Sequence, residues 1–232
     1  MIQIRSDFDV ELVESAGYDG LICKAARVST LASASIDTTE STGLINFLMK
    51  NRHGSPFEHG MMMFRISAPI FVWREFMRHR IGFSYNEQSG RYMEMESVFY
   101  VPPKTRPLVQ QGKPGHYEFV PGTQEQWEVV CAQQELSYMK AWDTYKLQLD
   151  LGIAKEVARM CLPVGIYSTA YVTCNPRSMM SFLSLRTKDE DSTFPSYPQW
   201  EINQVANAME AHFANTYPIT HQCFHNNGRV SP

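Results

Sequence analysis

Apolar and polar positions along the chain follow two periods, and together these predict strands and helices. Alternation predicts strands at 2–4, 61–67 and 92–101. Helical spacing predicts helices at 9–27 with a break near 17–20, after the capping residues 38–41, from 68, at 127–149, at 155–163, at 175–186 and at 198–215. We therefore expect an α+β fold, a mixed or antiparallel sheet flanked by helices with a helical portion, in one domain over residues 1–232.

Capping residues mark the ends of several of these helices. Thr123 and Gln126 are spaced as in a capping box, in which each side chain bonds the other residue's backbone N–H. Asn175 followed by proline is typical of a helix start, and Arg186 ends that helix. Residues 102–122 contain five prolines and are predicted to form a loop that could cover a site.

The run 78–92 has no apolar stripe, and its polar groups do not share one helical or strand face. Its arginines, hydroxyls and carboxylate favour an anionic ligand with hydrogen-bonding edges, because guanidinium groups bind phosphate with two parallel hydrogen bonds. A nucleotide fits that description. The alternative is a solvated basic loop whose arginines are neutralised by Glu75, Glu87 and Glu94.

Composition and charge exclude several classes of protein. The chain has 232 residues, 44% of them hydrophobic and 19% charged, which is ordinary for a globular domain. Its net charge of -3 disfavours a general nucleic-acid binder. Five cysteines without a CxxC pair indicate reduced thiols in the cytoplasm. No stretch predicts a signal peptide or a membrane span, because 61–73 is interrupted by Arg65 and Pro69.

The run 78–92 resembles the signature of the flavin-dependent thymidylate synthases, which is Arg-His-Arg, a spacer, and Ser-x-Asn-Glu-x-Ser-x-Arg. The family spacer usually has two residues, whereas 81–83 gives three here, so we expect Gly82 to accommodate a bulge. Other parts of the resemblance lie at 25–29, 53–59, 156–163 and 199–202.

The resemblance implies FAD as a cofactor and assigns a set of residues to it. These are Ser29, His53, Ser55, Arg78, His79, Arg80, Glu87, Asn175, Arg177 and Ser181. His53 would lie beside the flavin ring and so counts among the catalytic residues. From the residues alone, Ser29 could equally form a local backbone hydrogen bond, and Ser181 stands where a relative has asparagine.

The resemblance also implies dUMP as the substrate. Its implied contacts are Glu75, Arg78, Glu87, Gln88, Ser89, Gly90, Arg91, Arg159 and Arg186, with Ser89 and Arg186 as catalytic residues. Many relatives have glutamine in place of Glu75, and a carboxylate there would repel phosphate unless an arginine neutralises it. Arg159 could instead pair with Glu156 at the surface.

The implied reaction is reductive methylation of dUMP to dTMP, with 5,10-methylenetetrahydrofolate as the methylene donor, NADPH as the reductant and tetrahydrofolate as the product. No cysteine nucleophile is expected, because the Pro-Cys motif of classical thymidylate synthases is absent. Arg186 would stabilise negative charge that develops on the uracil ring. The resemblance further implies a homotetramer whose sites are shared between subunits.

Two other classes of function would use residues of these same motifs. A metal phosphohydrolase would use His53, His59 and His79, but no adjacent His-Asp pair accompanies them. An RNA-binding module would use the arginines, and the net charge disfavours it. In the tail, His221, Cys223 and His225 at alternate positions could bind a metal in an extended segment, although an adventitious arrangement is favoured and no metal is expected.

Overall fold

The computed structural model describes residues 1–31, 38–113 and 116–232. The strands in this part of the chain are β1 Gln3–Arg5, β2 Asp9–Ala16, β3 Met61–Pro69, β4 Phe83–Glu87, β5 Val98–Tyr100, β6 Val109–Lys113, β7 His116–Val120 and β8 Tyr167–Cys174. The helices are α1 Asp19–Leu31, α2 Thr42–Lys50, α3 Ile70–Phe76, α4 Gln124–Asp150, α5 Lys155–Ala158, α6 Pro176–Arg186, α7 Trp200–Thr216 and α8 Pro218–Asn226. Helices and antiparallel sheets together make the fold α+β.

The chain forms two compact units, each assembled from separate segments. The first unit consists of Met1–Asp7, Ala68–Trp73 and Glu87–Thr169, and the second of Phe8–Ser67, Arg74–Asn86 and Ala170–Pro232. The expected single domain over residues 1–232 stays a prediction. None of the helices in the described part of the chain is long and apolar enough to cross a bilayer.

The first unit is built around α4 and a small parallel sheet of β1 and β5. Its buried core contains Phe99, Val101, Tyr138 and Ile166. The predicted capping box is confirmed, because the Thr123 hydroxyl accepts from the Gln126 backbone N–H and the Gln126 side chain accepts from the Thr123 backbone N–H. Local sequence therefore sets where this helix begins.

Residues 102–122 are more ordered than their prolines predict. The hairpin of β6 and β7 lies inside this segment, with Val109 opposite Val120. The strand predicted at 92–101 shrinks to the three residues of β5. The hairpin forms because β6 and β7 pair with each other despite the prolines around them. β5 is short because it pairs with only the three residues of β1.

In the second unit β2 pairs with β3 in antiparallel register, from Asp9 opposite Ser67 to Ala16 opposite Met61. The full sheet order is β2-β3-β8-β4. The helix predicted at 9–27 is therefore wrong for its first half. The register shifts between Leu12 and Glu14, and this bulge breaks the alternation that would have indicated a strand.

The chain ends in two helices rather than the single one predicted at 198–215. Helix α8 begins at Pro218, and the buried Asp19 carboxylate accepts from the backbone N–H groups of Ile219 and Thr220 at 2.8 and 2.9 Å. The residue that caps α8 lies 200 positions earlier in the chain than Ile219. A cap so distant leaves no local signal in the sequence.

Candidate active site

The polar run predicted as a site lies directly after α3. Because α3 ends at Phe76, Arg78 and its neighbours lie in a turn beyond the helix. The Tyr85 hydroxyl donates to the backbone carbonyls of Phe76 and His79, at 3.2 and 2.7 Å, and so fixes the turn. The run also contains strand β4, which was not predicted because only Phe83 and Tyr85 carry the alternation and the third inward position is the polar Glu87.

Helix α6 brings Arg186 to this turn. The helix begins as predicted, with the Asn175 side chain accepting from the Ser178 backbone N–H at 2.8 Å. Its inner face is formed by Met179, Phe182 and Leu183, which are fully buried. Arg186 is the last residue of the helix, where positive charge complements the helix dipole.

The Arg186 guanidinium is held by two residues of the preceding segment. Its Nη1 lies 2.8 Å from the Glu75 carboxylate, and its Nε donates to His79 Nε2 at 2.9 Å. The arginine side chain is only 18% exposed. Arg186 thus neutralises Glu75. A carboxylate at this position would otherwise repel a phosphate group.

Burial, and then the neighbouring Arg186 cation, lower the pKa of His79 from 6.5 to about 4. At neutral pH His79 is therefore uncharged, and its Nε2 lone pair can accept from Arg186. The ring also packs edge-on against Phe182, with 4.9 Å between centroids. The imidazole acts as an acceptor that orients the guanidinium without cancelling its charge.

A pocket of about 420 Å³ lies beside this cluster. Its lining residues are Arg78, His79, Arg80, Ile81, Phe83, Ser178 and Ser181. Two arginines, an imidazole and two hydroxyls give it the donor set of an anion-binding site. Ser178 was not predicted; its position one helical turn before Ser181 could have indicated it.

Gly82 closes the bulge in the signature. Its φ of 68° lies in the left-handed region, which glycine adopts without strain. A Cβ added there would lie 2.0 Å from Ser178 Oγ and 2.9 Å from Asn175 Nδ2. The extra spacer residue therefore fits only because this position carries no side chain.

A second group of predicted cofactor contacts surrounds Arg177. Its Nη1 pairs with Glu58 at 2.5 Å, and its Nε donates to the Pro232 carbonyl at 2.6 Å. A Cβ at Gly54 would lie 2.4 Å from Arg177 Nε, so the backbone between His53 and Ser55 packs directly on the guanidinium. The side chains of His53 and Ser55, on either side of Gly54, are both exposed.

The remaining predicted substrate contacts belong to the first unit. The Gln88 backbone N–H donates to the Thr169 carbonyl at 2.9 Å, and the Gln88 side-chain oxygen accepts from the Thr169 backbone N–H at 3.1 Å. The carbonyl of Ser89 accepts from the Tyr92 backbone N–H at 3.0 Å and so begins a turn. Gln88 thus anchors the turn that presents the Ser89 hydroxyl.

Gly90 lies buried in that turn, against Arg159. A Cβ at Gly90 would lie 3.1 Å from the Arg159 Cδ, so the arginine stem packs on bare backbone. Glu156 pairs with Arg91 at 3.1 Å rather than with Arg159. Within the described part of the chain, the Arg159 guanidinium has no hydrogen-bond or ion-pair partner and stays available for an anion.

The chain matches the family model described as thymidylate synthase complementing protein over residues 11–219. It belongs to that family. It is 56% identical to the flavin-dependent thymidylate synthase of Streptomyces coelicolor, covering 100% of this chain and 96% of the relative, and 52% identical to that of Tropheryma whipplei TW08/27, covering 98% and 96%. A solved UMP/dUMP methylase, PolB from Streptomyces cacaoi bound with 5-Br dUMP, is 48% identical, has a TM-score of 0.94 and covers 100% of both chains.

Membership of the flavin-dependent thymidylate synthases makes this chain a flavin-dependent methyltransferase. The pocket suits a flavin nucleotide on its own chemistry. Arg78 and Arg80 line it, and across residues 1–31, 38–113 and 116–232 neither has a side-chain ion-pair partner. Free guanidinium groups beside serine hydroxyls fit the phosphates of a nucleotide cofactor.

Not every predicted flavin contact of this flavin-dependent thymidylate synthase lies at the pocket. The Ser29 hydroxyl donates to the Ala26 carbonyl at 2.9 Å, which is the local bond left open by the sequence. Glu87 is the half-buried last residue of β4. Tyr85 was not among the predicted site residues, because it acts by holding the turn that carries them. Glu58 supports a predicted contact in the same way, since it pairs with Arg177.

Replacement of Gly82 by alanine should weaken flavin binding and stability together. The strained φ and the Ser178 clash should lower the free energy of unfolding by about 2 kcal/mol or more. Gly152→Ala is the matched control, since Gly152 has φ 78° but nothing within 4 Å of an added Cβ, and should cost only about 1 kcal/mol. Urea unfolding and bound-flavin absorbance measure both effects; equal losses in the two variants would refute the packing argument.

The His79 imidazole should titrate near pH 4 in the flavin-free protein, as followed by NMR. Because its folded pKa lies below the ordinary 6.5, the stability it confers is present above pH 6.5 and is lost as pH falls towards 4. Arg186→Gln should raise the pKa by removing the neighbouring cation, whereas Arg65→Gln should leave it unchanged. A His79 midpoint near 6.5 in the unmodified chain would contradict this.

Proposed function

We propose that the chain converts dUMP, 5,10-methylenetetrahydrofolate, NADPH and one proton into dTMP, tetrahydrofolate and NADP⁺, with FAD as its flavin. The C5–H bond of uracil is replaced by a carbon–carbon bond to the methylene group, and NADPH supplies the two electrons that reduce that group to a methyl. Family membership at 56% identity over the whole chain supports the reaction class. The roles of the site residues are assigned mainly from the Arg186 guanidinium, which Glu75 and His79 hold in place.

Arg186 suits the stabilisation of charge on uracil. The carbon–carbon bond forms at C5 as negative charge spreads onto a carbonyl oxygen of the ring, and a preorganised guanidinium lowers the energy of that state. Glu75 and His79 fix the plane of the guanidinium before substrate arrives. Because His79 is neutral, the positive charge of Arg186 is countered by Glu75 alone.

The Ser89 turn suits the phosphate of dUMP. The Ser89 hydroxyl, the Gly90 backbone, Arg91 and Arg159 are assigned to the phosphate, with Gln88 positioning the turn. Two guanidinium groups and a hydroxyl match the three acceptor oxygens of a phosphate monoester. Glu156 neutralises only Arg91, which leaves net positive charge for the anion.

FAD, when bound, would carry the electrons from NADPH to the methylene group. Arg78, Arg80, Ser178 and Ser181 would hold its phosphates at the pocket. The resemblance assigns Ser29, His53, Ser55, Glu87, Asn175 and Arg177 to the same cofactor, with His53 at the ring. Arg177 would position the His53 segment, on which its guanidinium packs.

The state of the cysteines supports a reaction without a thiol nucleophile. Burial raises the pKa of the Cys23, Cys131, Cys174 and Cys223 thiols. The Cys161 thiol donates to the Ala158 carbonyl at 3.2 Å. A nucleophilic cysteine needs a lowered pKa, and these environments do the opposite for four of the five.

UMP is a second candidate substrate. The solved relative from Streptomyces cacaoi is described as a UMP/dUMP methylase and binds 5-Br UMP as well as 5-Br dUMP. This chain aligns with it over its full length at 48% identity. Both nucleotides therefore belong in the same assay, and their kcat/KM ratio measures the discrimination at the ribose.

We also infer a homotetramer, which the resemblance implies. Helix α4 carries four exposed apolar side chains on one face, at residues Val129, Leu136, Met139 and Leu147, with exposed fractions of 54%, 55%, 42% and 60%. Their spacing of seven, three and eight residues keeps them on one side of the helix. A contiguous apolar face of this kind is typical of subunit contacts.

The purified protein should form dTMP from dUMP only when FAD, NADPH and 5,10-methylenetetrahydrofolate are all present, and should release tetrahydrofolate. Arg186→Lys should lower kcat by about 100-fold or more. Lysine has a single charged nitrogen, so it cannot contact Glu75 and His79 through two separate nitrogens as the guanidinium does. Arg65→Lys, at an exposed arginine paired with Glu11 at 2.7 Å, is the control and should keep the activity. Product formation without flavin, or full kcat in Arg186→Lys, would refute the proposal.

Light scattering should give a mass near four times the 26.6 kDa of the chain. Leu136→Asp and Leu147→Asp should shift the protein towards smaller species, because a charge buried in an apolar interface is costly. Ser137→Asp places the same charge on the flank of the helix and should leave the tetramer intact. A monomer mass for the unmodified chain would contradict the inference.

A further inference from the structure

The tail histidines lie on a helix, where the sequence had suggested an extended segment. His221 and His225 are four residues apart in α8, so they share one face of the helix. Cys223 is buried on another side, against the Thr42 carbonyl. Within the described part of the chain, Glu210, His221 and His225 form the one group of three potential metal ligands.

The three ligand atoms form a nearly equilateral triangle. The Glu210 Oε1 lies 3.0 Å from His221 Nε2 and 3.2 Å from His225 Nε2, and the two imidazole nitrogens are 3.2 Å apart. A tetrahedral zinc ion with bond lengths of about 2.0–2.1 Å requires ligand atoms about 3.3–3.4 Å apart. The observed edges are within a few tenths of an ångström of that spacing.

Hydrogen bonds alone cannot satisfy this triangle. Arg229 Nη1 lies 2.7 Å from His225 Nε2, and arginine is always a donor, so His225 Nε2 accepts and carries no proton. Its 3.2 Å contact with Glu210 Oε1 then joins two acceptors. His221 Nε2 has at most one proton for its two neighbours in the triangle. A cation coordinated by all three atoms removes this conflict.

We propose that Glu210, His221 and His225 bind a divalent transition-metal ion, with Zn²⁺ as the expected ion. Two imidazoles and a carboxylate are a common ligand set for zinc, and two histidines four residues apart on a helix reach one ion together. The fourth position would be taken by water. Such an ion would join α7, which carries Glu210, to α8.

Neighbouring charges provide a second layer around the site. The Asp189 carboxylate lies 3.9 Å from His225 Nδ1, on the side of the ring that faces away from the triangle. At 3.9 Å the carboxylate is not hydrogen-bonded to the ring, and the same oxygen lies 3.5 Å from Arg229 Nε, but its negative charge favours a cation bound by the histidine. The acidic segment 188–191, which follows Arg186, thus places a negative charge beside the cluster.

Arg229 must adjust when the ion binds. Its Nη1 donates to Glu210 Oε1 at 2.6 Å and to His225 Nε2 at 2.7 Å, and it has to leave both ligand atoms. Its Nη2 can stay on Glu210 Oε2 at 2.9 Å and on the Thr187 hydroxyl at 2.6 Å. The Glu210 carboxylate would then bridge the ion through one oxygen and the guanidinium through the other. Because the arginine competes for the histidine, its presence should reduce the affinity for the ion.

Titration of the untagged, flavin-loaded protein with Co²⁺ after treatment with a chelator tests the site. We expect one equivalent per chain, with the visible d–d absorption of four-coordinate Co²⁺, and displacement by Zn²⁺. His221→Gln and His225→Gln should abolish that spectrum, and Asp189→Asn should weaken binding by about tenfold. His59→Gln removes an exposed histidine elsewhere and should bind as the unmodified chain does.

Zn²⁺ should also raise the melting temperature of the unmodified chain and of His59→Gln, but not of His221→Gln or His225→Gln. X-ray absorption on the Zn²⁺-loaded unmodified protein gives the same answer if the glutamine variants fail to fold, since it counts the imidazole ligands. Binding of less than one ion per chain, binding unaffected by both substitutions, or fewer than two imidazoles at the zinc would each overturn the proposal.

Discussion

The ion pair between Arg186 and Glu75, with His79 as a second acceptor, is the interaction on which the arrangement of α6 and the turn after α3 depends. A guanidinium with only 18% of its side chain exposed needs a counter-charge and a full set of acceptors, or its burial would be costly. Helix α6 delivers the arginine in its last turn, and the segment around the end of α3 supplies both partners. The Arg186 guanidinium is therefore oriented by the fold itself.

This constraint extends to the surrounding residues. His79 can accept from Arg186 only while it is neutral, and its burial against Phe182 keeps it so. Phe182 in turn stacks on Phe76, at 4.6 Å between centroids, which ties the inner face of α6 to the end of α3. Tyr85 bonds the carbonyls on both sides of the turn. Packing and protonation state are thus coupled, since loosening the aromatic contacts would readmit water and raise the pKa of His79.

The elements predicted correctly from sequence are those whose signals are local. The caps at Thr123 and Asn175 are formed by residues three positions apart, so reading the sequence was enough. β2 was missed because a bulge breaks its alternation, and β4 was missed because it is short and its last inward position is the polar Glu87. At the site, the sequence indicated the arginines and several carboxylates but not which of them pair. Glu156 pairs with Arg91 rather than with Arg159, and tertiary packing sets that choice.

The tail shows how one distant contact changes the chemistry that a sequence can support. Read as an extended segment, His221 and His225 share a face with Cys223, which suggests a different ligand set. The Asp19 carboxylate caps the first turn of α8, and the change of period from two to 3.6 residues turns Cys223 into the core and aligns the two imidazoles with Glu210. The same helix then carries the chain to Arg229, whose guanidinium reaches Thr187, the residue after Arg186. The geometry of the histidine cluster and the anchoring of the α6 terminus therefore both depend on a cap formed by a residue near the start of the chain.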